Sequence, residues 1–214
     1  MDAVYSLLAI MLAILLGAIS PGPSFLLICH TSVSRTRRDG LMAAAGLATG
    51  SAILAALTLL GLKTILGHGA RVDLLLHLLG GIYLVFLGSR LWMTAPEPMA
   101  GLEADATAAQ PLLKTPFLTG LTTQITNPKT VLTYAGVFGA LLPLNPPLWL
   151  TVILLPSLFT VEAGWYCFVA VGFSTARSRQ FYLGRKKWLD RFAGTAIAGL
   201  GLRLLYGAPL SALK

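Results

Sequence analysis

The sequence predicts an all-α, polytopic membrane protein with six transmembrane segments in two inverted three-helix repeats, each repeat opening on a broken helix. Three observations carry this. Of 214 residues, 56% are hydrophobic and only 11% charged, with mean hydropathy +0.77, whereas a soluble domain carries about 25% charged residues. The apolar residues gather into runs long enough to cross a bilayer, which takes about 20 residues as helix. Two of these runs, the first in each half, are interrupted by helix-breaking residues. The composition excludes a soluble enzyme, a disordered chain and a collagen-like chain.

The segments are expected near Val4–Val33, Leu41–Leu62, Leu74–Met93, Phe117–Leu142, Leu148–Thr175 and Phe192–Tyr206. They are rich in Leu, Ala and Gly and lack the alternation of barrel strands, about 10 residues long each. The first resembles a signal peptide only superficially: Asp2 stands where a basic residue is needed, and Pro21 follows the small residues that would mark cleavage. Between Met93 and Pro116 the chain turns polar. It therefore divides into a repeat over residues 1–93, a cytoplasmic linker over 94–116 and a second repeat over 117–214.

The formal net charge of +8 is explained by topology and gives no reason to expect nucleic acid. Arg35, Arg37, Arg38, Arg90, Lys114, Arg177, Arg179, Arg185, Lys186, Lys187 and Arg191 all fall on one side of a six-span arrangement. Lys63, Arg71 and Lys214 fall on the other. Basic loops stay in the cytoplasm, which places both termini outside it, in a bacterial inner membrane.

Small residues recur at helical spacing at Ala44, Gly46, Ala48 and Gly50, and at Gly194, Ala198, Gly199 and Gly201. Such faces let helix backbones approach closely, inside the bundle or across a homodimer. Residues 81–91 and 194–204 share Gly, Gly, Arg and Leu at equal spacing. Because each half holds an odd number of spans, the second enters the membrane from the opposite side, as in secondary transporters.

The breaks are Pro21-Gly22-Pro23 and Asn127-Pro128-Lys129. Proline removes a backbone donor and clashes with the preceding turn, and in lipid the freed groups need partners. Counted from the basic loops at 1.5 Å per residue, both breaks lie roughly 15–20 Å deep, near the bilayer midplane. The half-helices that follow, from Ser24 and from Thr130, turn their first amides to an anion. The carbonyls before the breaks accept from an ammonium. A zwitterion fits both.

Lys129 and Glu162 lie deep in apolar sequence, where each would cost about 2.5–3.5 kcal/mol at a helix centre. Glu162, Trp165 and Tyr166 share a helix face at i, i+3 and i+4. Glu162 is expected to couple transport to protons or to bind the ammonium, and Lys129 to meet a substrate carboxylate; the alternative is that the two pair only to hold the bundle. Cys29 and Cys167 read as packed side chains, His30 equally as a packed neutral imidazole or a proton relay, and His68, His77 and Asp73 as ordinary outer-side residues. No phosphate-binding loop, dinucleotide fingerprint, nucleophile elbow or metalloprotease helix occurs, so no enzyme activity, metal or cofactor is expected.

At these residues the sequence resembles the LysE/RhtB family of amino-acid exporters. The resemblance runs through Ser20-Pro21-Gly22-Pro23, Arg38-Asp39-Gly40 with Gly46 and Gly50, Gly61-Leu62, and Gly80 to Gly88. It continues through Phe117, Gly120, Asn127-Pro128-Lys129, and Glu162 with Trp165 and Tyr166. It implies a six-span inner-membrane exporter of amino acids or related zwitterions, driven by a proton or ion gradient. Ser24 stands where the family often has an acidic residue, and Leu54 where it often has histidine. Two other readings stay open: divalent-metal efflux, for which Glu162, Cys167, Cys29 and His30 are the available ligands, and a scaffold that transports nothing. Reporters fused to either end are expected outside the cytoplasm; a cytoplasmic N-terminus would refute the six-span arrangement.

Overall fold

A computed structural model describes residues 3–20, 22–65, 70–96, 115–143, 145–172, 181 and 184–207. Among them the regular secondary structure is helical. The helices are α1 (Ala3–Ile19), α2 (Pro23–Ser34), α3 (Arg37–Ile65), α4 (Ala70–Thr94), α5 (Pro116–Thr126), α6 (Pro128–Leu141), α7 (Leu148–Gly172) and α8 (Lys186–Tyr206). Most of the polar linker, Pro21, His68, Arg177, Arg179 and Lys214 lie outside the described residues, as do the side chains of Lys63, Arg71, Asp73 and His77.

Local chemistry sets the helix starts. Gly22 is the N-cap of α2 with Pro23 at its first turn, where the missing N–H and preset φ of proline do no harm. Asn127 caps α6 in the same way, its side chain accepting from the Lys129 amide at 3.0 Å, with Pro128 next. Thr36 is the N-cap of α3: its Oγ1 accepts from the Asp39 amide at 3.1 Å and donates to Asp39 Oδ2 at 2.8 Å.

Arg37–Leu62 (26 residues) and Leu148–Gly172 (25 residues) are each long and apolar enough to cross a bilayer, and α1 with α2, bent by 58°, makes a third such unit. The chain is therefore a multi-pass helical membrane protein. The last expected segment, Phe192–Tyr206, is too short by six residues: α8 begins at Lys186. Lys186, a loop charge by its place in the sequence, is a buried helical residue, only 8% exposed. The helix admits it because Asp190, one turn on, pairs with it at 2.9 Å.

Ile10 and Ile14 of α1, Leu84 of α4, Phe138 and Leu141 of α6, and Leu150 and Leu154 of α7 form the larger core. Phe25 and Ile28 of α2, Ala43, Ala44 and Leu47 of α3, and Tyr166 and Val169 of α7 form the smaller. Large apolar side chains such as Leu57, Leu60, Leu79, Ile82, Phe86, Val152, Phe168 and Leu202 point outward. In water such a surface would aggregate; in lipid it costs nothing.

With no hydrophobic drive between helices in lipid, contact rests on close fit. A Cβ on Gly46 would land on the Phe117 carbonyl oxygen of α5, and one on Gly50 would come 2.8 Å from Gln124 Cβ. Between α4 and α8, Gly201 faces the Gly81 carbonyl, a Cβ there falling 2.7 Å from it, and Gly194 faces that of Gly88 at 2.6 Å. Gly199, grouped with this stripe by spacing, meets nothing within 4 Å. Gly46→Ala is therefore expected to cost about 1–3 kcal/mol through forced separation of α3 and α5, whereas Gly199→Ala is neutral or slightly stabilising. Thermal unfolding in detergent compares the two, and equal behaviour would refute the close-contact assignment.

Candidate functional site at the two helix breaks

The two breaks face one another across a cavity lined by Gly17, Ser20, Gly22, Ser24, Gln124, Asn127, Lys129, Thr130, Thr133, Tyr134, Glu162 and Tyr166, with Ile14, Ala18 and Phe25 closing its apolar wall. Its volume is about 30 Å³ as space for water centres, enough for about two waters and too little for an amino acid.

Glu162 is 2% exposed and receives donors from three helices: Ser51 Oγ of α3, Gln124 Nε2 of α5 at 3.2 Å and Tyr134 OH of α6 at 3.1 Å. A carboxylate taken out of water is tolerable where several donors replace its hydration. The network continues outward. Gln124 Nε2 also donates to Ser51 Oγ at 2.6 Å, and its Oε1 accepts from Ser24 Oγ at 2.5 Å. Ser24 Oγ in turn accepts from Asn127 Nδ2 at 3.3 Å. One chain of hydrogen bonds thus joins both breaks to Glu162.

Lys129 sits apart from this chain. Its Nζ donates to the Ser20 carbonyl at 3.0 Å, one of the backbone acceptors released where α1 ends. Gly22 packs beside it, a Cβ there coming into ordinary contact with Nζ at 3.6 Å. The Trp165 indole donates to the Ala18 carbonyl at 3.0 Å. Two side chains of the second half therefore satisfy the carbonyls of the first break.

Lys129 and Glu162 line the same cavity but do not pair: among the described residues the one ion pair is Lys186–Asp190. Each has neutral partners instead: Lys129 the Ser20 carbonyl of the first break, and Glu162 the side chains of Ser51, Gln124 and Tyr134. Of the residues singled out from sequence, Gly22, Ser24, Asn127, Lys129, Glu162 and Tyr166 line the cavity. Pro23 and Pro128 start the half-helices without lining it. Trp165 leaves the Glu162–Tyr166 face for the end of α1, and Pro21 lies outside the described residues. His30 is exposed.

Sequence reasoning missed Ser51, Gln124, Thr133 and Tyr134. Gln124 had a signal: an amide with four hydrogen-bonding positions inside an apolar run needs partners. Ser51 and Thr133 had none, since lone Ser and Thr hydroxyls in membrane helices can bond their own backbone, as Thr133 does to the Lys129 carbonyl at 2.6 Å; nor had Tyr134, whose ring is mostly apolar. Among the described residues no group of three His, Cys, Asp or Glu side chains comes together. The cavity thus offers one carboxylate, one ammonium, two amides and several hydroxyls.

Residues 15–208 match the LysE type translocator family. The chain is 29% identical to the threonine efflux protein of Escherichia coli K12 over 199 residues, 89% of this chain and 93% of that one. It is 30% identical to the threonine efflux protein of Salmonella typhi over 200 residues, with the same coverage. It is 28% identical to the E. coli membrane protein YahN over 189 residues, 87% of this chain and 83% of that one. No solved structure matches it. Multi-pass helical architecture, the two paired breaks and a family match covering nearly the whole chain agree: the protein belongs to the LysE type translocator family, whose members are transporters and not enzymes.

Proposed function

We propose that the protein exports a neutral amino acid or a closely related zwitterion across the bacterial inner membrane, in exchange for protons and by alternating access. Lys129 and Glu162 carry this reading: opposite charges line one cavity and leave each other unpaired. A zwitterion bridges such a pair, its carboxylate toward Lys129 and the first amides of α6, its ammonium toward Glu162, Ser24 and Gln124. The relatives named threonine efflux proteins make threonine the first solute to try.

The tightness of the cavity supports alternating access. A solute enters only if the half-helices part, and the breaks at Gly22 and Asn127 are the places where backbone dihedrals can change. The packing of α4 on α8 supports the inverted repeat. If residue 81 corresponds to 194 and 88 to 201, a two-fold axis converts the Gly81–Gly201 contact into Gly194–Gly88, and both contacts are present. Six spans with both termini outside the cytoplasm follow from that symmetry and the basic loops.

Glu162 suits proton coupling because its donors come from α3, α5 and α6. Protonation would remove the charge these donors hold and loosen the contact between the two halves. A membrane potential of 100 mV supplies about 2.3 kcal/mol per charge moved. In vesicles preloaded with threonine, Glu162→Gln and Lys129→Met are each expected to cut efflux at least about tenfold without loss of folded protein. Full activity in both would remove them from the mechanism. Tyr134→Phe, which deletes one donor to a charged group and leaves two, is expected to slow efflux by about tenfold; an unchanged rate would detach this hydroxyl from the coupling network.

A further inference from the structure

Gly17 is buried on α1 and lines the cavity, and the place of its missing side chain is open. Apart from the backbone of its own helix, a Cβ there would meet one atom within 4 Å among the described residues, Thr133 Cγ2 of α6, at the ordinary contact distance of 3.6 Å. Gly46 and Gly120 differ, since a Cβ on either would strike a backbone carbonyl of the facing helix. Helix packing requires glycine at those two positions and does not require it at position 17. Alanine would fit there, and alanine favours a helix interior where glycine weakens it. Room left open in this way, on the wall of a polar cavity, calls for an occupant.

The surroundings of that room are apolar. Ile14, Gly17 and Ala18 share one face of α1 at i, i+3 and i+4, and with Phe25 of α2 they form the apolar wall of the cavity. Opposite stands Thr133. Its hydroxyl is turned to its own helix, donating to the Lys129 carbonyl at 2.6 Å, and its methyl is the group that meets Gly17. The Lys129 ammonium is one turn away: Lys129 precedes Thr133 by four residues on α6, and Ser20, whose carbonyl Nζ reaches, follows Gly17 by three. One turn is about 5.4 Å, so an amino acid whose carboxylate meets Lys129 can lay its side chain in this room.

We propose that the room beside Gly17 is the side-chain subsite of the transported amino acid, and that Gly17 and the Thr133 methyl together set its size. Resting on the exporter reading, this names the solute class: amino acids with a short aliphatic or hydroxy-aliphatic side chain, such as alanine, threonine and valine. A lysine or glutamine side chain would carry an ammonium or an amide against Ile14, Ala18 and Phe25, where it leaves its water without gaining partners. A leucine side chain overfills the space between α1 and α6.

The test is efflux from sealed proteoliposomes preloaded with glycine, alanine, threonine, valine, leucine, glutamine or lysine, read as ratios of kcat/KM between solutes. Gly17→Ala places one methyl in the room, and one methyl shifts discrimination in an apolar pocket by about tenfold or more. It is expected to lower the threonine-to-glycine and valine-to-glycine ratios by about tenfold. Thr133→Ser removes the facing methyl and keeps the hydroxyl; it is expected to raise the leucine-to-threonine ratio several-fold, and in the double variant to return the threonine-to-glycine ratio toward wild type. A merely structural role for Gly17 predicts that all solutes fall by one factor, and that result would overturn the proposal, as would ratios that no variant moves. Should Gly17→Ala not fold, Thr133→Ser decides by the leucine-to-threonine ratio alone: a rise supports the subsite and no change refutes it. Wild-type protein that moves no amino acid overturns the exporter reading and this inference together, whereas wild-type protein that moves lysine or glutamine as well as threonine overturns this inference alone.

Discussion

A helix interrupted inside a bilayer releases backbone carbonyls and amides into a medium with no water to receive them, each at a cost of several kcal/mol if left alone. The architecture of this protein is organised around meeting that demand. Where α1 stops, the Ala18 and Ser20 carbonyls are taken by Trp165 of α7 and by Lys129 at the second break. Where α5 stops, Asn127 caps α6 with one end of its amide and reaches Ser24, on the far side of the first break, with the other. Each interruption is tolerated because the other is beside it. This reciprocity ties the two interruptions together.

The same demand explains the separation of charge. A lysine and a glutamate lining one cavity in low dielectric would be expected to collapse into an ion pair, and they do not. Lys129 is held by a carbonyl that the break exposes, and Glu162 by hydroxyl and amide donors converging from α3, α5 and α6. Neutral dipoles thus hold the two charges apart.

Much of this was legible in the primary structure, and what was legible shares a cause. Membrane insertion punishes polar groups, prolines and charges so heavily that their presence in an apolar run already signals a site: Gly22, Asn127, Lys129 and Glu162 all declare themselves this way and all line the cavity. Ser51 does not, because a serine hydroxyl can bond its own helix, and Tyr134 does not, because its ring is mostly apolar and sits readily in a membrane helix. Trp165 was grouped with Glu162 by spacing, but a large side chain at i+3 can turn to a neighbouring helix, and the uncapped end of α1 draws it there. Lys186 and Asp190 escaped for the opposite reason. They lie in the most basic stretch of the chain, and a mutually neutralising i, i+4 pair looks like surface until the helix around it is seen to be buried.

The sequence by itself determined the class of protein, the location of the breaks and the scarcity of charge within the spans, because solvation by lipid acts residue by residue and leaves its mark in composition and order. Which groups meet was decided only by the tertiary structure. Hydrogen bonds and ion pairs are chosen by distance and direction among residues about a hundred positions apart in the chain, such as Ser24 with Gln124 or Ser51 with Glu162. No local pattern encodes that choice. Whether Lys129 and Glu162 would cancel or stand apart was therefore open in the sequence and settled by packing: Gly46 and Gly50 bring α3 against α5, and with it Ser51 and Gln124 to the carboxylate.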